Sequence, residues 1–211
     1  NLSAIFVILF SRKLLKLRLL TLISSILLVI IISFINPTAK ERVVDQTLKQ
    51  MNLSEDTKQA KEKEGIYIFT REHTHHYISA YRMFLDNIAL GVGVKNFRKF
   101  CKYEKYKVSN VSCSSHPHNT YLQILSETGI IGFIFLITTL IYFCKYIFKH
   151  IILRIGGKFF FTDFEICVLS GIAIYLWPIV PTGNIFNNWL NIIMILNLPF
   201  LFWSRKKILN N

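Results

Sequence analysis

Two histidines and an asparagine stand together in the segment His116-Pro117-His118-Asn119, and Glu127 follows at about two helical turns. An imidazole titrates near neutral pH and can take a proton from a hydroxyl group. Asn119 is a favourable N-cap, so we predict that a helix begins directly after it and holds both imidazoles at its start. The pattern favours general-base chemistry. A capping motif whose histidines only lie at a membrane surface is the competing interpretation.

Three arginines in the polar part of the chain could hold a phosphorylated substrate. Arg71, Arg82 and Arg98 all precede His116. A pyrophosphate leaving group develops negative charge, and the guanidinium fork is suited to bind it. A structural alternative stays open for each arginine: an ion pair of Arg82 with Asp86 one helical turn further on, and solvated surface positions for the other two.

The segment His73-Thr74-His75-His76 suggests a metal site at first sight. Its spacing matches no closed zinc pattern, and no Asp-x-Asp pair occurs in the chain. We therefore expect no metal and no other cofactor. We interpret these histidines as a solvated loop or a phosphate-facing surface.

The chain has four cysteines, of which Cys144 and Cys167 lie in apolar runs. Cys101 and Cys113 lie in the polar segment. If that segment faces an oxidising space, the two can form a disulfide that holds the chain just before His116. Two unrelated free thiols are the alternative.

The composition indicates an integral membrane protein. Of the 211 residues, 52% are hydrophobic, and the mean hydropathy is +0.40. Many of the apolar residues form runs close to the ~20 residues that a membrane helix needs. We predict an all-α polytopic membrane protein with about four full transmembrane helices, a truncated N-terminal one and a long helical periplasmic loop. The full spans are residues 19–35, 129–148 (continuing a helix from Thr120), 164–180 and 189–203, and the truncated span is residues 2–10.

The basic residues predict the orientation. The net charge is +13, and lysines and arginines cluster in the short segments at span ends. The positive-inside rule puts those segments in the cytoplasm and the long loop outside. A nucleic-acid surface is disfavoured, because the charges flank apolar runs and form no soluble patch. Three regions follow: 1–35 with a truncated span, a short cytoplasmic loop and a membrane helix; 36–128 as a periplasmic catalytic-type loop; and 129–211 with the C-terminal membrane helices and a basic cytoplasmic tail.

The outward loop has helical patterns of its own. Residues 40–51 show helical spacing, and the mixed charges of residues 58–64 are typical of a solvated helix face. Residues 77–90 form a better amphipathic pattern, which the segment Gly91-Val92-Gly93 should end. Its apolar stripe consists of Ile78, Tyr81, Leu85 and Ile88.

Two sequence blocks carry a resemblance to a known family. The first is Ala-Tyr-Arg-Met-Phe-Leu-Asp-Asn at residues 80–87, running into Gly-Val-Gly-Val-Lys-Asn-Phe-Arg at 91–98. The second is His-Pro-His-Asn-Thr-Tyr-Leu-Gln at 116–123, followed by Glu-Thr-Gly-Ile-Ile-Gly at 127–132. Both resemble the signature region of the O-antigen ligase/polymerase family. Its members are longer, so we interpret this chain as a C-terminal fragment.

The resemblance implies a metal-independent glycosyltransferase of the bacterial inner membrane, active in lipopolysaccharide or surface polysaccharide biosynthesis. Its donor would be a glycan on undecaprenyl pyrophosphate. The acceptor would be a hydroxyl of a lipid A–core sugar in a ligase, or of a lipid-linked glycan in a polymerase. The alternatives are a glycolipid-binding transporter or flippase component without transferase activity, and a fragment that is inactive by itself.

The resemblance also implies roles for single residues. The histidine of the family's His-Asn pair corresponds to His118, which would activate the acceptor hydroxyl. Arg82, with ten residues between it and Gly93, fits a spacing found in polymerases and would hold the pyrophosphate together with Arg98. The remaining substrate-binding positions are Arg71, His116, Asn119 and Glu127.

Overall fold

The computed structural model describes residues 2–51, 53, 68–179 and 181–209, and within them the regular structure is helical. The helix predicted from the charges of residues 58–64 lies outside the described residues. The helices are α1 (Leu2–Phe10), α2 (Leu15–Ile35), α3 (Pro37–Lys40), a π-helical turn (Glu41–Asp45), α4 (Gln46–Gln50), α5 (Arg71–Asp86), α6 (Phe97–Phe100), α7 (Thr120–Ile155), α8 (Asp163–Tyr175), α9 (Asn188–Ile195) and α10 (Asn197–Leu209).

Two of these helices, α2 and α7, are long and apolar enough to cross a membrane. They contain the first two predicted spans, and α7 begins at Thr120 as expected. The part of α7 after its non-helical residue Gly129, residues 130–155, corresponds to about 39 Å of helix, more than the ~30 Å hydrocarbon core. If α7 crosses a membrane, its part before Gly129 therefore stands clear of the lipid, and α5 packs against α7.

The third and fourth predicted spans are shorter or broken. Helix α8 has 13 residues and ends at Tyr175, before the prolines at 178 and 181. The fourth span is divided between α9 and α10. Pro199 explains the break, because its ring clashes with the carbonyl four residues earlier, and α9 ends at that residue, Ile195. None of these three helices reaches the ~20 residues of a full span, so the number of spans stays a prediction.

The basic side chains gather at the end of α7 that is remote from His118. Arg18 lies 3.7 Å from a carboxylate oxygen of Asp163, and Arg205 pairs with the buried Glu165 at 2.9 Å. His150 joins the helices there, since it bonds the carbonyl of Phe10 and accepts from a backbone amide of the α7–α8 loop. Which end of α7 faces the cytoplasm remains a prediction from the positive-inside rule.

Helix α7 is interrupted at Gly129, which has a non-helical φ of 66° and ψ of −163°. Glycine can adopt these angles, and almost no other residue can. The turn at residues 87–93 fills the interruption and takes over hydrogen bonds that a continuous helix would make within itself. Four bonds do this: Val92 N–H to Ser126 O (2.9 Å), Gly93 N–H to Glu127 O (2.9 Å), Ile130 N–H to Ile88 O (2.8 Å) and Ile131 N–H to Ala89 O (3.4 Å). The turn is thereby fixed to α7 by main-chain bonds.

The amphipathic helix of the loop was predicted over residues 77–90 and is found six residues earlier at its start. Helix α5 begins at Arg71 and ends at Asp86, before the turn that contains Gly91. Its buried face includes Ala80 and Met83, which pack with Phe97, Cys101 and Tyr106 in a small core. The predicted apolar stripe is exposed, with 37–55% of each residue's surface accessible: Ile78, Tyr81, Leu85 and Ile88.

Candidate functional site

Four imidazole rings meet at the start of α7, and we call His73, His76, His116 and His118 the imidazole cluster. His118 lies at its centre. Its ring centroid is 4.1 Å from that of His116, 5.3 Å from that of His73 and 5.4 Å from that of His76. Two of the rings come from α5 and two from the segment before α7, so the cluster exists only when these elements are packed together.

Helix α5 positions two of the rings by its own periodicity. His73 and His76 are three residues apart and so lie on one face of the helix. The Thr70 side chain caps the helix by accepting from the His73 backbone amide, and its hydroxyl lies 2.9 Å from His73 Nδ1. The sequence pattern favoured a solvated loop or a phosphate-facing surface for these two histidines, whereas the structure has them on a helix. The three-residue spacing was the signal that could have placed them on a helix.

The other two rings are held by the cap of α7. As predicted, Asn119 caps this helix, with its Oδ1 accepting from the amides of Tyr121 and Leu122. Its Nδ2 donates to the carbonyl of Pro178. His118, just before the cap, has a left-handed φ of 57°, and its carbonyl accepts from the amide of Thr182. The segment after α8 therefore helps to orient the cluster.

The tautomer of His116 follows from its partners. Its Nε2 lies 3.2 Å from the carbonyl of Thr182, which can only accept, so Nε2 carries the proton and donates. Nδ1 is then the acceptor for the hydroxyl of Ser115 at 2.8 Å. His116 is buried and fully engaged, and this makes it a support for its neighbour His118.

Burial lowers the pKa of every ring in the cluster. The effect is largest for His118, whose pKa falls to about 4 because of burial first and then because of the nearby His116, His73 and His76. Burial is also the main cause of the lowered pKa values of His73, His76 and His116. At neutral pH the rings are uncharged, and His118 has a lone pair available to accept a proton.

The lowered pKa values predict a stability that depends on pH. Below the ordinary histidine pKa of 6.5, the unfolded chain binds more protons than the folded chain, so the free energy of unfolding decreases as pH falls. The contribution of His118 to the free energy of unfolding is fully present above about pH 6.5. It is lost as the pH falls towards 4, where the His118 ring of the folded protein becomes protonated. We expect Tm in detergent to fall over this interval.

The control for the pH experiment is His118→Asn, which removes the ring with the lowest pKa. Its Tm should fall less than that of the wild type between about pH 6.5 and 4.5. Titration of carboxylates contributes equally to both proteins, so the difference in Tm reports on His118. Equal losses of Tm would contradict a contribution from His118.

Glu127 lies within α7 and has no exposed surface. Its carboxylate accepts from the backbone amides of Lys95 (3.1 Å) and Phe97 (2.8 Å) and from Gln123 Nε2 (3.2 Å). These contacts hold the loop before α6 against α7. Glu127 is thus placed to position the loop, and its expected contact with substrate stays a prediction.

The three arginines lie in different surroundings. Arg71 is the first residue of α5, two positions before His73, and is exposed. Arg82 is an exposed residue further along α5, and its guanidinium donates to the carbonyl of Lys107 at 3.3 Å. Arg98, on α6, lines a cavity together with Ser115.

The alternative for Arg82, an ion pair with Asp86, is not found in the structure. Asp86 pairs with Lys105 at 2.9 Å. This bond joins the end of α5 to the loop after α6.

Cys101 and Cys113 form a disulfide-bonded pair in the structure, with their Cα atoms 5.4 Å apart. Cys101 is completely buried in the core of the loop. The pair fixes the chain three residues before His116, and a crosslink of this kind contributes about 2–4 kcal/mol to stability.

Thiol labelling tests the disulfide directly. We expect the denatured, unreduced protein to react with an alkylating reagent at two cysteines, Cys144 and Cys167, and at all four after reduction. In Cys101→Ser the unreduced protein should react at three. Four labelled cysteines in the unreduced wild type would contradict the pairing.

The part of the chain that the structure describes contains no group of three or more His, Cys, Asp or Glu side chains arranged to hold a metal ion.

A comparison with protein families matches residues 2–137 to a model described as O-antigen ligase. The match covers more than half of the chain and includes the whole imidazole cluster. No curated protein and no solved structure matches the chain significantly.

Proposed function

Because this chain belongs to the O-antigen ligase family, we propose that it acts in glycan transfer at a membrane, from undecaprenyl pyrophosphate to a sugar hydroxyl. The observation that carries the proposal is the imidazole cluster at the start of α7. It brings together residues that are more than forty positions apart in the chain, inside the matched region. We place this end of α7 on the periplasmic side of the bacterial inner membrane, opposite the basic end.

In the proposed reaction, His118 is the general base. The acceptor hydroxyl attacks the anomeric carbon of the donor glycan, and its proton passes to the ring of His118. A new glycosidic C–O bond forms as the bond from the anomeric carbon to the pyrophosphate oxygen breaks, and undecaprenyl pyrophosphate leaves. The neutral state of His118 supports this role, since only an unprotonated ring can take the proton.

Cationic side chains, in place of a metal ion, hold the leaving group in this proposal. Arg71 and Arg82 lie on α5, the helix that carries His73 and His76. A bound pyrophosphate beside these rings would raise their pKa values, because a nearby negative charge favours the protonated imidazole. The cluster would thus gain positive charge as the leaving group develops negative charge.

An apolar cavity supports a lipid-linked donor. It has a volume of about 460 Å³ and lies between α1, α7 and α8. Tyr121 and Pro178 line its end, and Pro178 also accepts the hydrogen bond from Asn119 beside the cluster. We assign the first isoprene units of the donor to this cavity.

Deletion of the gene in its source organism tests the function, with gel analysis of the lipopolysaccharide as the readout. Loss of all long-chain material from the core identifies a ligase, and single-repeat caps identify a polymerase. An unchanged lipopolysaccharide and surface polysaccharide pattern would contradict the proposal. A defect in flipping of the glycolipid with normal glycan joining would identify the transporter alternative.

A further inference from the structure

A second cavity lies beside the imidazole cluster and has a different chemistry. It has a volume of about 360 Å³, within the range of small-molecule sites of about 300–1,000 Å³. Ser115 links it to the cluster, because the Ser115 hydroxyl bonds His116, whose ring touches His118. The lining consists of two cations, one hydroxyl, three amides and one indole: Lys95, Arg98, Ser115, Asn184, Asn187, Asn188 and Trp189.

The walls of this cavity are held together by a buried polar network. Gln123 has no exposed surface and bonds both walls. Its Nε2 donates to Asn184 Oδ1 at 2.7 Å and to Glu127 at 3.2 Å, and its Oε1 accepts from the amide of Ile185. Glu127 in turn holds the amide of Lys95. The network fixes the turn that carries the asparagines relative to the loop that carries the cations.

The positive charge of the cavity favours the binding of an anion. Lys95 and Arg98 line it, and its lining, all within the described chain, includes no carboxylate. The carboxylate of Glu127, which accepts from the amide of Lys95, is buried and is engaged by backbone amides and Gln123. An arginine beside a lysine suits a phosphate or carboxylate group.

The remaining residues that line the cavity are suited to bind a sugar ring. Trp189 is 77% exposed, and its indole offers a broad apolar face. Asn184 and Asn187 use their Oδ1 atoms to fold the turn, by accepting from the amides of Phe186 and Trp189. Their side-chain amides stand at the cavity, where they can pair with hydroxyl groups. One apolar face surrounded by amides matches a saccharide, which has one apolar ring face and many hydroxyls.

We propose that this cavity is an acceptor subsite that binds an acidic saccharide, meaning a sugar that bears a phosphate or a carboxylate. The sugar ring lies on Trp189, and its acidic group is held by Lys95 and Arg98. The proposal rests on the proposed function, and it divides the roles of the arginines: those on α5 serve the donor, and Arg98 serves the acceptor. The acceptor hydroxyl reaches His118 past Ser115 and His116.

Binding to the full chain in lipid nanodiscs tests this subsite without requiring catalysis. The probes are glucose 6-phosphate, galacturonate, neutral glucose and inorganic phosphate, followed by saturation-transfer NMR. We expect at least one of the two acidic sugars to bind at least tenfold more tightly than glucose or phosphate. The affinity should fall at least tenfold in Trp189→Ala and in Arg98→Gln.

Two control variants separate this inference from the proposed function. Lys102→Gln removes a cation from the same loop but not from this cavity, and should bind like the wild type. His118→Asn should also keep the binding even where transfer is lost. Equal binding of phosphate and both acidic sugars, unaffected by Trp189→Ala, would mean a plain anion or lipid-headgroup patch and would overturn the proposal. Absence of binding by both acidic sugars would overturn it as well.

Discussion

Replacing His118 by asparagine is expected to reduce glycan transfer at least ~10²-fold, the usual effect of removing a general base. Asparagine is chosen because His118 has a φ of 57°, a left-handed conformation that asparagine tolerates better than most residues. The backbone bond from Thr182 to the His118 carbonyl can therefore persist. The variant should lose the imidazole and keep the fold.

The matched control is His75→Gln. His75 lies on α5 between the two cluster histidines of that helix, but its Nδ1 faces Ser109 at 2.8 Å. A glutamine amide can replace that hydrogen bond, so transfer should stay near the wild-type level. Both variants are compared by expression, by Tm, and by the lipopolysaccharide made in the deletion strain that carries them. Full activity of His118→Asn at normal expression would remove His118 from the catalytic role.

Replacing Gly129 by alanine is expected to prevent correct folding. The added Cβ would overlap the carbonyl of Ala89, and the φ and ψ of Gly129 are closed to alanine. This overlap can be relieved only if the turn at residues 87–93 moves away from α7. The four main-chain bonds would be lost, together with the loop that Glu127 holds, so we expect a destabilisation of at least ~3 kcal/mol.

Gly157→Ala is the control, because Gly157 also has a positive φ, of 72°, but a Cβ there meets nothing within 4 Å. Its cost should be about 1–2 kcal/mol, the backbone strain alone. The yield of monodisperse protein and the Tm in detergent measure both variants. Similar values for Gly129→Ala and Gly157→Ala would show that the interruption of α7 is not needed for folding.

The sequence was a good guide where a local signal decides the structure. The start of α7 could be predicted because Asn119 is a strong cap, and the two helices long enough to cross a membrane could be predicted because their apolar runs are long. The break of the fourth predicted span could be traced to Pro199, since the residues of α9 and α10 around it are mainly apolar. Composition alone does not reveal a proline interruption of this kind.

Only half of the imidazole cluster, His116 and His118, could be predicted from the sequence. His116 and His118 are neighbours in sequence, whereas His73 joins them through packing of α5 on α7, which no local pattern encodes. The predicted apolar stripe of Ile78, Tyr81, Leu85 and Ile88 is exposed, and there is a physical reason for this. In a water-soluble protein such a stripe marks the core, but beside a membrane an apolar face can equally remain accessible, as Ile78 does.

The docking of the turn into α7 also dictates where the gene can be altered. Four main-chain bonds join this turn to α7 at set positions, so inserting or deleting a single codon between residues 87 and 93 would put the turn out of register. Reporter tags for mapping topology belong instead at the exposed residues Lys102–Glu104, where the chain offers a surface loop.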